Sequence, residues 1–169
     1  YVRSNLTGNY TLSNGQPTKP GTSTAVDVGL YYQSKKFDLN GKKTSASLGL
    51  VVSNIGSKVS YSVKKDFIPI NLRLGGGLKF DIDETNTFGI YADANKLLVP
   101  TQPVYQKALD SLGNETPYDA IDPATGEKVI AAGKNPNVGI AKGMLQSFND
   151  APGGGKEELN EINYCVGFE

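Results

Sequence analysis

Residues 72–82 read Leu-Arg-Leu-Gly-Gly-Gly-Leu-Lys-Phe-Asp-Ile and alternate between two kinds of side chain. Apart from the glycine at position 76, every even position is a large apolar residue, whereas the odd positions carry a charge or are glycine. Successive side chains of a β-strand point to opposite faces. The pattern therefore predicts one long strand with an apolar face and a polar face.

The same alternation returns elsewhere in the chain, at 24–35, 43–54, 86–97 and 162–168. A weaker version opens the chain, with Val2, Leu6, Tyr10 and Leu12 on one side. Together with the stretch at 71–83, these segments predict six strands.

Strand length separates two kinds of all-β fold. Strands of soluble sheets commonly have about 5–6 residues, whereas a tilted membrane-spanning strand needs about 9–11. Most of the predicted strands reach the longer value. Small and charged residues such as Gly75, Lys79 and Asp81 also suit a wet lumen better than a dry core. We expect an antiparallel transmembrane β-barrel, with a soluble sandwich that has one solvated face as the alternative.

The connections between the predicted strands sort by length. Those at 13–23, 55–70 and 98–160 are long, whereas those at 36–42 and 84–85 are short, and Asn40-Gly41 is a strong hairpin signal. Since antiparallel connections alternate between the two ends of a sheet, all long ones share one end. Outer-membrane barrels place such long loops outside the cell. We therefore expect 1–169 to be a partial outer-membrane β-barrel with 98–160 as its long extracellular loop.

Two helices are predicted inside the 98–160 loop. The first follows Pro103 and aligns a set of apolar side chains before Gly113, which suits a C-terminal cap; the set is Tyr105, Ala108, Leu109 and Leu112. The second spans 140–148 and ends before the run Ala-Pro-Gly-Gly-Gly at 151–155. These helices would gate the lumen, present an apolar surface to a partner, or only pack against each other.

Composition excludes several kinds of chemistry for this sequence. With no His and a single Cys, it cannot build the usual zinc sites or Ser-His-Asp and Cys-His centres. The 17 basic and 17 acidic residues balance, so no basic excess points to nucleic acid. Carboxylates at Asp119, Asp122 and Glu127 lack the order of an EF-hand loop. We expect no cofactor, no metal and no enzymatic activity.

Several segments in order resemble a known family. They are Val-Val-Ser-Asn-Ile-Gly-Ser-Lys at 51–58, Lys-Asp-Phe-Ile-Pro at 65–69, Asn-Leu-Arg-Leu-Gly-Gly at 71–76, Ala-Asp-Ala-Asn-Lys-Leu-Leu-Val-Pro-Thr at 92–101 and Gln-Ser-Phe-Asn-Asp-Ala-Pro-Gly-Gly at 146–154. In these runs the chain resembles the PorV (LptO) family of the Bacteroidetes type IX secretion system. The resemblance implies a FadL-like outer-membrane barrel of about fourteen strands. Six predicted strands are fewer than the about eight of the smallest natural barrel, so we expect an arc of a larger one.

The resemblance also implies a role in protein transport. Family members receive the C-terminal signal domain of cargo beside the translocon barrel SprA or Sov, and they deliver it to the attachment complex with the PorU sortase. We expect the chain to contact membrane lipid and, through its long loops, these proteins. The apolar residues proposed as partner contacts are Phe67, Leu98, Val99, Met144 and Phe148. The alternative function is FadL-like transport of hydrophobic small molecules, with lumen residues such as Tyr91 along the path.

Overall fold

The computed structural model describes residues 1–5, 8, 10, 11, 15, 17–61 and 65–169. It divides into two compact units, which we call the sheet unit (1–97 and 162–169) and the insert unit (98–161). In chain order, the elements of the described residues are β1 (Val2–Ser4), β2 (Gly21–Ser23), β3 (Ala25–Gln33), β4 (Phe37–Leu39), β5 (Lys42–Gly56), β6 (Asn71–Asp81), β7 (Thr87–Leu97), β8 (Val104–Tyr105), β9 (Lys107–Leu109), β10 (Glu115–Asp119), β11 (Ile130–Ala132), α1 (Ile140–Gln146), α2 (Gly155–Asn160) and β12 (Ile162–Phe168). The fold is all-β and antiparallel, as predicted.

The sheet unit is built on one six-stranded sheet in the order β12-β7-β6-β5-β3, with the short β4 paired to β5. Its register aligns the apolar positions of all five long strands. One row across the sheet reads Leu30, Leu50, Leu74, Ala94 and Tyr164, each paired with its neighbour. Since paired residues of antiparallel strands point to the same side, the predicted alternation produces one continuous apolar face.

The two short connections have the predicted turn geometry. Asn40 and Gly41 both have positive φ angles, 53° and 78°, as a tight hairpin turn requires. At the other short connection, the carboxylate of Asp83 accepts hydrogen bonds from the backbone N–H groups of Thr85 and Asn86, both at 2.8 Å. These turns bring β4 beside β5 and β6 beside β7.

Within the described residues, the strand predicted at the opening of the chain is present only over Val2–Ser4, and its pairing differs from the expected one. β1 does not join the large sheet but pairs with β2 in a separate two-stranded sheet. At Gly21 of β2, a Cβ would lie 2.5 Å from a Val59 methyl carbon, so the glycine lets β2 lie close to Val59. Leu6 and Leu12, on which the prediction also relied, lie outside the described residues. The sixth strand of the large sheet is instead β4, which had been predicted as connection.

The helix predicted after Pro103 was also wrong. Its residues form β8, which pairs with β11, and β9, which pairs with β10. Gly113, predicted as a helix cap, has a φ angle of 82° in the turn between β9 and β10. The apolar spacing of 105–112 fits a helix, but pairing with residues 115–119 and 130–132 decides for strands. The second predicted helix is present as α1, and α2 was not predicted because its first residue, Gly155, is the last of three consecutive glycines.

Buried hydrophobic side chains are few. Among the described residues they are Ile70 at 0%, Leu98 at 4% and Ala151 at 7% exposure. The apolar side chains of the large sheet are mostly exposed instead. No helix within the described residues is long and apolar enough to cross a membrane.

Candidate partner-binding site

The first candidate surface is the apolar face of the large sheet. Most of its large side chains are exposed by 37–70%, and these come from every long strand, whereas Leu50, Leu72 and Phe80 are half-buried. The exposed ones are Val26, Val28, Leu30, Tyr32, Leu48, Leu74, Leu78, Phe88, Ile90, Tyr164, Val166 and Phe168. Soluble monomers seldom expose continuous apolar patches larger than a few hundred Å². This face therefore has the character of a surface that meets another apolar phase.

The opposite face of the sheet carries the charged and glycine positions of the pattern, and it borders a space of about 420 Å³ that is lined by both polar and apolar residues. Its lining includes Tyr31, Ser47, Gly49, Arg73, Asp93 and Cys165. Tyr91 lies flat over two glycines of this face. A Cβ at Gly77 would lie 2.2 Å from Tyr91 Cδ1, and one at Gly89 would lie 2.8 Å from the Tyr91 hydroxyl. The glycines of the alternating pattern thus make room for one aromatic ring.

The insert unit is organised around the buried carboxylate of Asp150, which is 1% exposed. Its Oδ2 accepts hydrogen bonds from the backbone N–H of Thr101 at 3.2 Å and from Gln146 Nε2 at 3.4 Å. Its Oδ1 is buried without a hydrogen-bond partner among the described residues. Asp150 therefore joins the start of the unit to the last residue of α1.

Further hydrogen bonds tie the remaining segments of the insert unit together. Gln146 Nε2 also donates to the carbonyl of Asn135 at 3.0 Å. The buried Glu158 of α2 accepts from the backbone N–H of Ala151 at 2.8 Å, and the Thr101 hydroxyl donates to Glu161 at 2.9 Å. Hydrogen bonds of polar side chains therefore connect the segments of the insert unit, a role that an apolar core has in other small units.

Two lysines converge on Asp119 at the surface of the insert unit. Lys107 Nζ and Lys128 Nζ each lie 2.8 Å from one of its carboxylate oxygens. Hydrogen bonds from Lys107 and then Lys128 lower the pKa of Asp119, and Asp119 raises the pKa of Lys128. Lys128 also lies over the Tyr105 ring, 5.1 Å from its centroid. The group joins β8, β9 and β10 without offering a catalytic arrangement.

The proposed contact residues divide between the two units. Phe67 belongs to the sheet unit, where it is half-buried and lies under Lys58 Nζ, which is 4.2 Å from the ring centroid. The other four belong to the insert unit. Phe148, in the turn after α1, is 50% exposed, whereas Val99 and Met144 are half-buried and Leu98 is 4% exposed. Phe148 thus offers the most free surface of the five.

Several exposed apolar residues of the insert unit were not among the proposed contacts. They are Leu109, Leu112, Tyr118, Leu145 and Leu159, with exposures of 61–84%. Leu145 lies on the predicted face of α1 and could have been chosen from the sequence. Leu109 and Leu112 had been assigned to the apolar face of a predicted helix, and they lie instead in the β9–β10 hairpin. Within the described residues, no group of three or more acidic or Cys side chains could hold a metal ion.

A family model described as type IX secretion system protein PorV matches residues 1–104. The chain belongs to the PorV family. The match spans β1 to β7 and ends at the start of the insert unit, so it includes the runs at 51–58, 65–69, 71–76 and 92–101. The run at 146–154 lies outside it. No curated protein matches the chain.

Membership of the PorV family makes the chain a component of the type IX secretion system. The family is a secretion-system component and not a known enzyme family. Its partners accordingly lie within that system. The matched residues contain the whole large sheet except β12.

Proposed function

We propose that this chain is part of an outer-membrane shuttle that binds the C-terminal signal domain of cargo leaving the translocon barrel, SprA or Sov, and delivers it to the attachment complex with the PorU sortase. The match to the PorV family carries this proposal. The role is one of binding and transfer, without catalysis.

The apolar face of the sheet supports a place in the outer membrane. β6 and β7 each have 11 residues, and a strand of that length rises by about 3.3 Å per residue. Tilted at about 45°, it crosses about 25 Å, which is the height of the apolar band of outer-membrane barrels. Lipid contact would remove the exposed leucines and aromatics from water. The long connections would then lie outside the cell.

Cargo contacts are proposed on the long loops, at Phe67 in the sheet unit and at Leu98, Val99, Met144 and Phe148 in the insert unit. Phe148 is the leading candidate because half of its surface is already exposed, and aromatic side chains are frequent binding hot spots. Leu98, at 4% exposure, would contribute by holding the segment in place rather than by direct contact.

The register of the sheet allows a clean deletion. Lys96 pairs with Ile162, so residues 98–160 can be replaced by Asn-Gly to leave a two-residue hairpin between β7 and β12. Made in the full-length protein and purified in detergent, this variant should keep its folded sheet and lose binding of an isolated cargo signal domain. Binding that is unchanged by the deletion would contradict contacts in the insert unit.

A point variant sharpens the same test. Phe148→Ala should weaken signal-domain binding by about tenfold or more, as expected for a hot-spot aromatic. The matched control is Leu159→Ala, which also truncates an exposed apolar side chain of the insert unit, at 62% exposure, but lies outside the proposed set. Equal effects of both variants would remove Phe148 from the contact surface.

The alternative, FadL-like transport of a hydrophobic small molecule, has one observation in its favour. The polar face borders a space of about 420 Å³ beside Tyr91. Uptake of a fatty acid by cells that carry the full-length protein, lost in Tyr91→Ala while signal-domain binding persists, would favour the transporter. Absence of uptake in the unaltered protein would exclude it.

A further inference from the structure

A β-bulge interrupts the pairing of β3 with β5, close to the long connection 57–70 that carries Phe67. At the bulge, Asp27 of β3 lies opposite two residues of β5, Ser53 and Asn54. Asn54 has a φ angle of 60°, whereas the residues of a regular strand have negative φ angles. Bulges bend a strand and redirect its side chains. The bulge therefore gives the Asn54 side chain a direction that regular strand geometry would not.

Two hydrogen bonds hold Asn54 in this conformation. Its backbone N–H donates to Asp27 Oδ1 at 2.7 Å, and its side-chain Nδ2 donates to the carbonyl of Pro69 at 3.1 Å. Asparagine is one of the few residues besides glycine that adopt the left-handed conformation at low cost. Pro69 lies two residues before β6 begins. Asn54 therefore attaches the end of the 57–70 connection to the bulge.

A second attachment lies on the other side of Phe67. The Val59 N–H donates to the Asp66 carbonyl at 2.9 Å, and the Asp66 N–H donates to the Val59 carbonyl at 2.8 Å. Between Asp66 and Pro69 the chain has two residues, Phe67 and Ile68. A segment of two residues that is held at both ends has few conformations available. The two attachments together therefore restrict where the Phe67 side chain can point.

Lys58 restricts the Phe67 ring from one side, with Nζ 4.2 Å from the ring centroid. The residue before Lys58 is itself held in place. The Ser57 N–H donates to the Thr24 carbonyl at 3.0 Å, and the Ser57 carbonyl accepts from the hydroxyl of the buried Ser23 at 2.6 Å. A contact group that is ordered before binding loses less conformational entropy when the complex forms. The Phe67 ring is therefore preorganised by hydrogen bonds that lie outside the ring itself.

We propose that Asn54 is a positioning residue for cargo binding, because its hydrogen bond to Pro69 fixes the segment that presents Phe67 to the signal domain. Asn54 has this role only if Phe67 touches the signal domain, as the proposed function states. Asn54 itself does not touch the partner. Without the Nδ2 donor, the segment keeps only its attachment at Asp66, so the ring samples more orientations and binds more weakly.

The first test measures binding of an isolated cargo signal domain to the full-length protein in detergent. Asn54→Gly keeps access to the positive φ angle and removes the donor, so it should weaken binding by about fivefold, as the loss of one hydrogen bond implies. Asn54→Asp also tolerates this φ angle and turns a carboxylate toward the Pro69 carbonyl, so its loss should be at least as large. Asn40→Gly is the matched control, because Asn40 has a φ angle of 53° but lies in the β4–β5 hairpin, and it should leave binding unchanged.

A double-mutant cycle and a spectroscopic probe separate positioning from a general structural effect. In a Phe67→Ala background, Asn54→Gly should cause no further loss of binding, because no ring is left to position. 4-Fluorophenylalanine in place of Phe67 reports the ring by ¹⁹F NMR without any partner. Its resonance should move toward that of the free amino acid in Asn54→Gly and stay in place in Asn40→Gly.

Three outcomes would overturn the positioning role of Asn54. An equal loss of binding from Asn54→Gly with and without the Phe67 ring would show a general structural effect. A ¹⁹F resonance that does not move in Asn54→Gly would show that the ring is positioned by other contacts, and the proposed contact at Phe67 would stand. Unchanged binding in Phe67→Ala alone would contradict that contact as well, and with it this part of the proposed function.

Discussion

Different interactions stabilise the interior of each of the two units. In the sheet unit the long strands form continuous backbone ladders, while most of their large apolar side chains remain exposed. In the insert unit the strands are two to five residues long, and buried polar groups such as Asp150, Gln146 and Glu158 join the segments. The sheet is therefore stabilised mainly by its backbone ladders, whereas the insert unit is stabilised by hydrogen bonds between buried polar groups.

The two units therefore differ in which groups they remove from water: the sheet unit leaves apolar side chains exposed, whereas the insert unit buries polar ones. In the proposed outer-membrane setting, a side chain on the apolar face would need to be apolar but would need no particular neighbour, so exchange of one apolar residue for another there would cost little. A buried polar group needs partners in fixed positions, because leaving it unsatisfied costs about 1–3 kcal/mol. The four predictions below test this contrast, beginning with the largest expected effect.

A lysine on the apolar face should destabilise the protein in lipid, whereas a lysine on the polar face should not. Leu48→Lys in the full-length protein should lower the free energy of unfolding in lipid vesicles by about 2–4 kcal/mol, as for lysine at mid-membrane on the lipid side of a barrel. Gly49→Lys is the matched control: it adds the same side chain one residue later, where a Cβ has open space. If the apolar face were in water, Leu48→Lys would be harmless.

The Asp150 hydrogen bonds should matter specifically to the insert unit. Asp150→Ala leaves the Thr101 N–H without its acceptor and removes one acceptor of Gln146, so we expect a loss of about 2–3 kcal/mol in the local stability of this unit. Asp150→Asn keeps one acceptor oxygen and should cost less. Native-state hydrogen exchange of insert-unit amides measures both. Exchange that is unchanged in the alanine variant would show that the carboxylate does not hold the unit.

Because the Tyr91 ring lies against Gly77, Gly77→Ala should lower the free energy of unfolding. A methyl group there meets the ring at 2.2 Å, and overpacking of this kind costs about 1 kcal/mol or somewhat more. In a Tyr91→Ala background the same Gly77→Ala change should cost nothing. A double-mutant cycle on the unfolding free energy supplies the coupling. Additive effects would mean that the ring does not occupy the place above Gly77.

The turn at Asp110 should respond to pH with the smallest effect. Because turn N–H groups lower its pKa in the folded chain, its contribution is present above the unfolded value of about 3.9 and is lost as the pH falls through the lower folded value. We expect the Leu112 and Asn114 amides to be better protected from exchange than in Asp110→Asn above a pH of about 3.9, and this difference in protection to disappear toward the acidic limit. A difference in protection that grows as the pH falls would contradict this sign.

Much of the sheet was predictable because its information is local. The alternation at 72–82 needs no knowledge of the fold to be recognised, and the Asn40-Gly41 and Asp83 turns follow from the residues that tolerate positive φ angles or cap a turn. The register then follows, since a shift by one residue would send every leucine to the wrong face.

The insert unit was predicted less well because its segments are short and ambiguous. Tyr105, Ala108, Leu109 and Leu112 fit a helical face, yet β8 and β9 pair with residues more than five positions away. α1 was predicted correctly, since nothing in 140–146 pairs elsewhere. The sequence identified the proposed contact residues as apolar, but it could not show that Leu98 is buried and Phe148 exposed.

By itself the sequence determined the all-β class, the long strands and their two faces, because period-two patterning and turn residues act between near neighbours. The family was recognisable from the sequence through its runs at 51–58, 65–69, 71–76 and 92–101. Tertiary structure alone decided that β1 leaves the large sheet, that residues 104–119 form strands, and which apolar side chains of the insert unit remain at the surface. Those outcomes depend on pairing and burial between distant residues, for which a short segment carries no signal of its own.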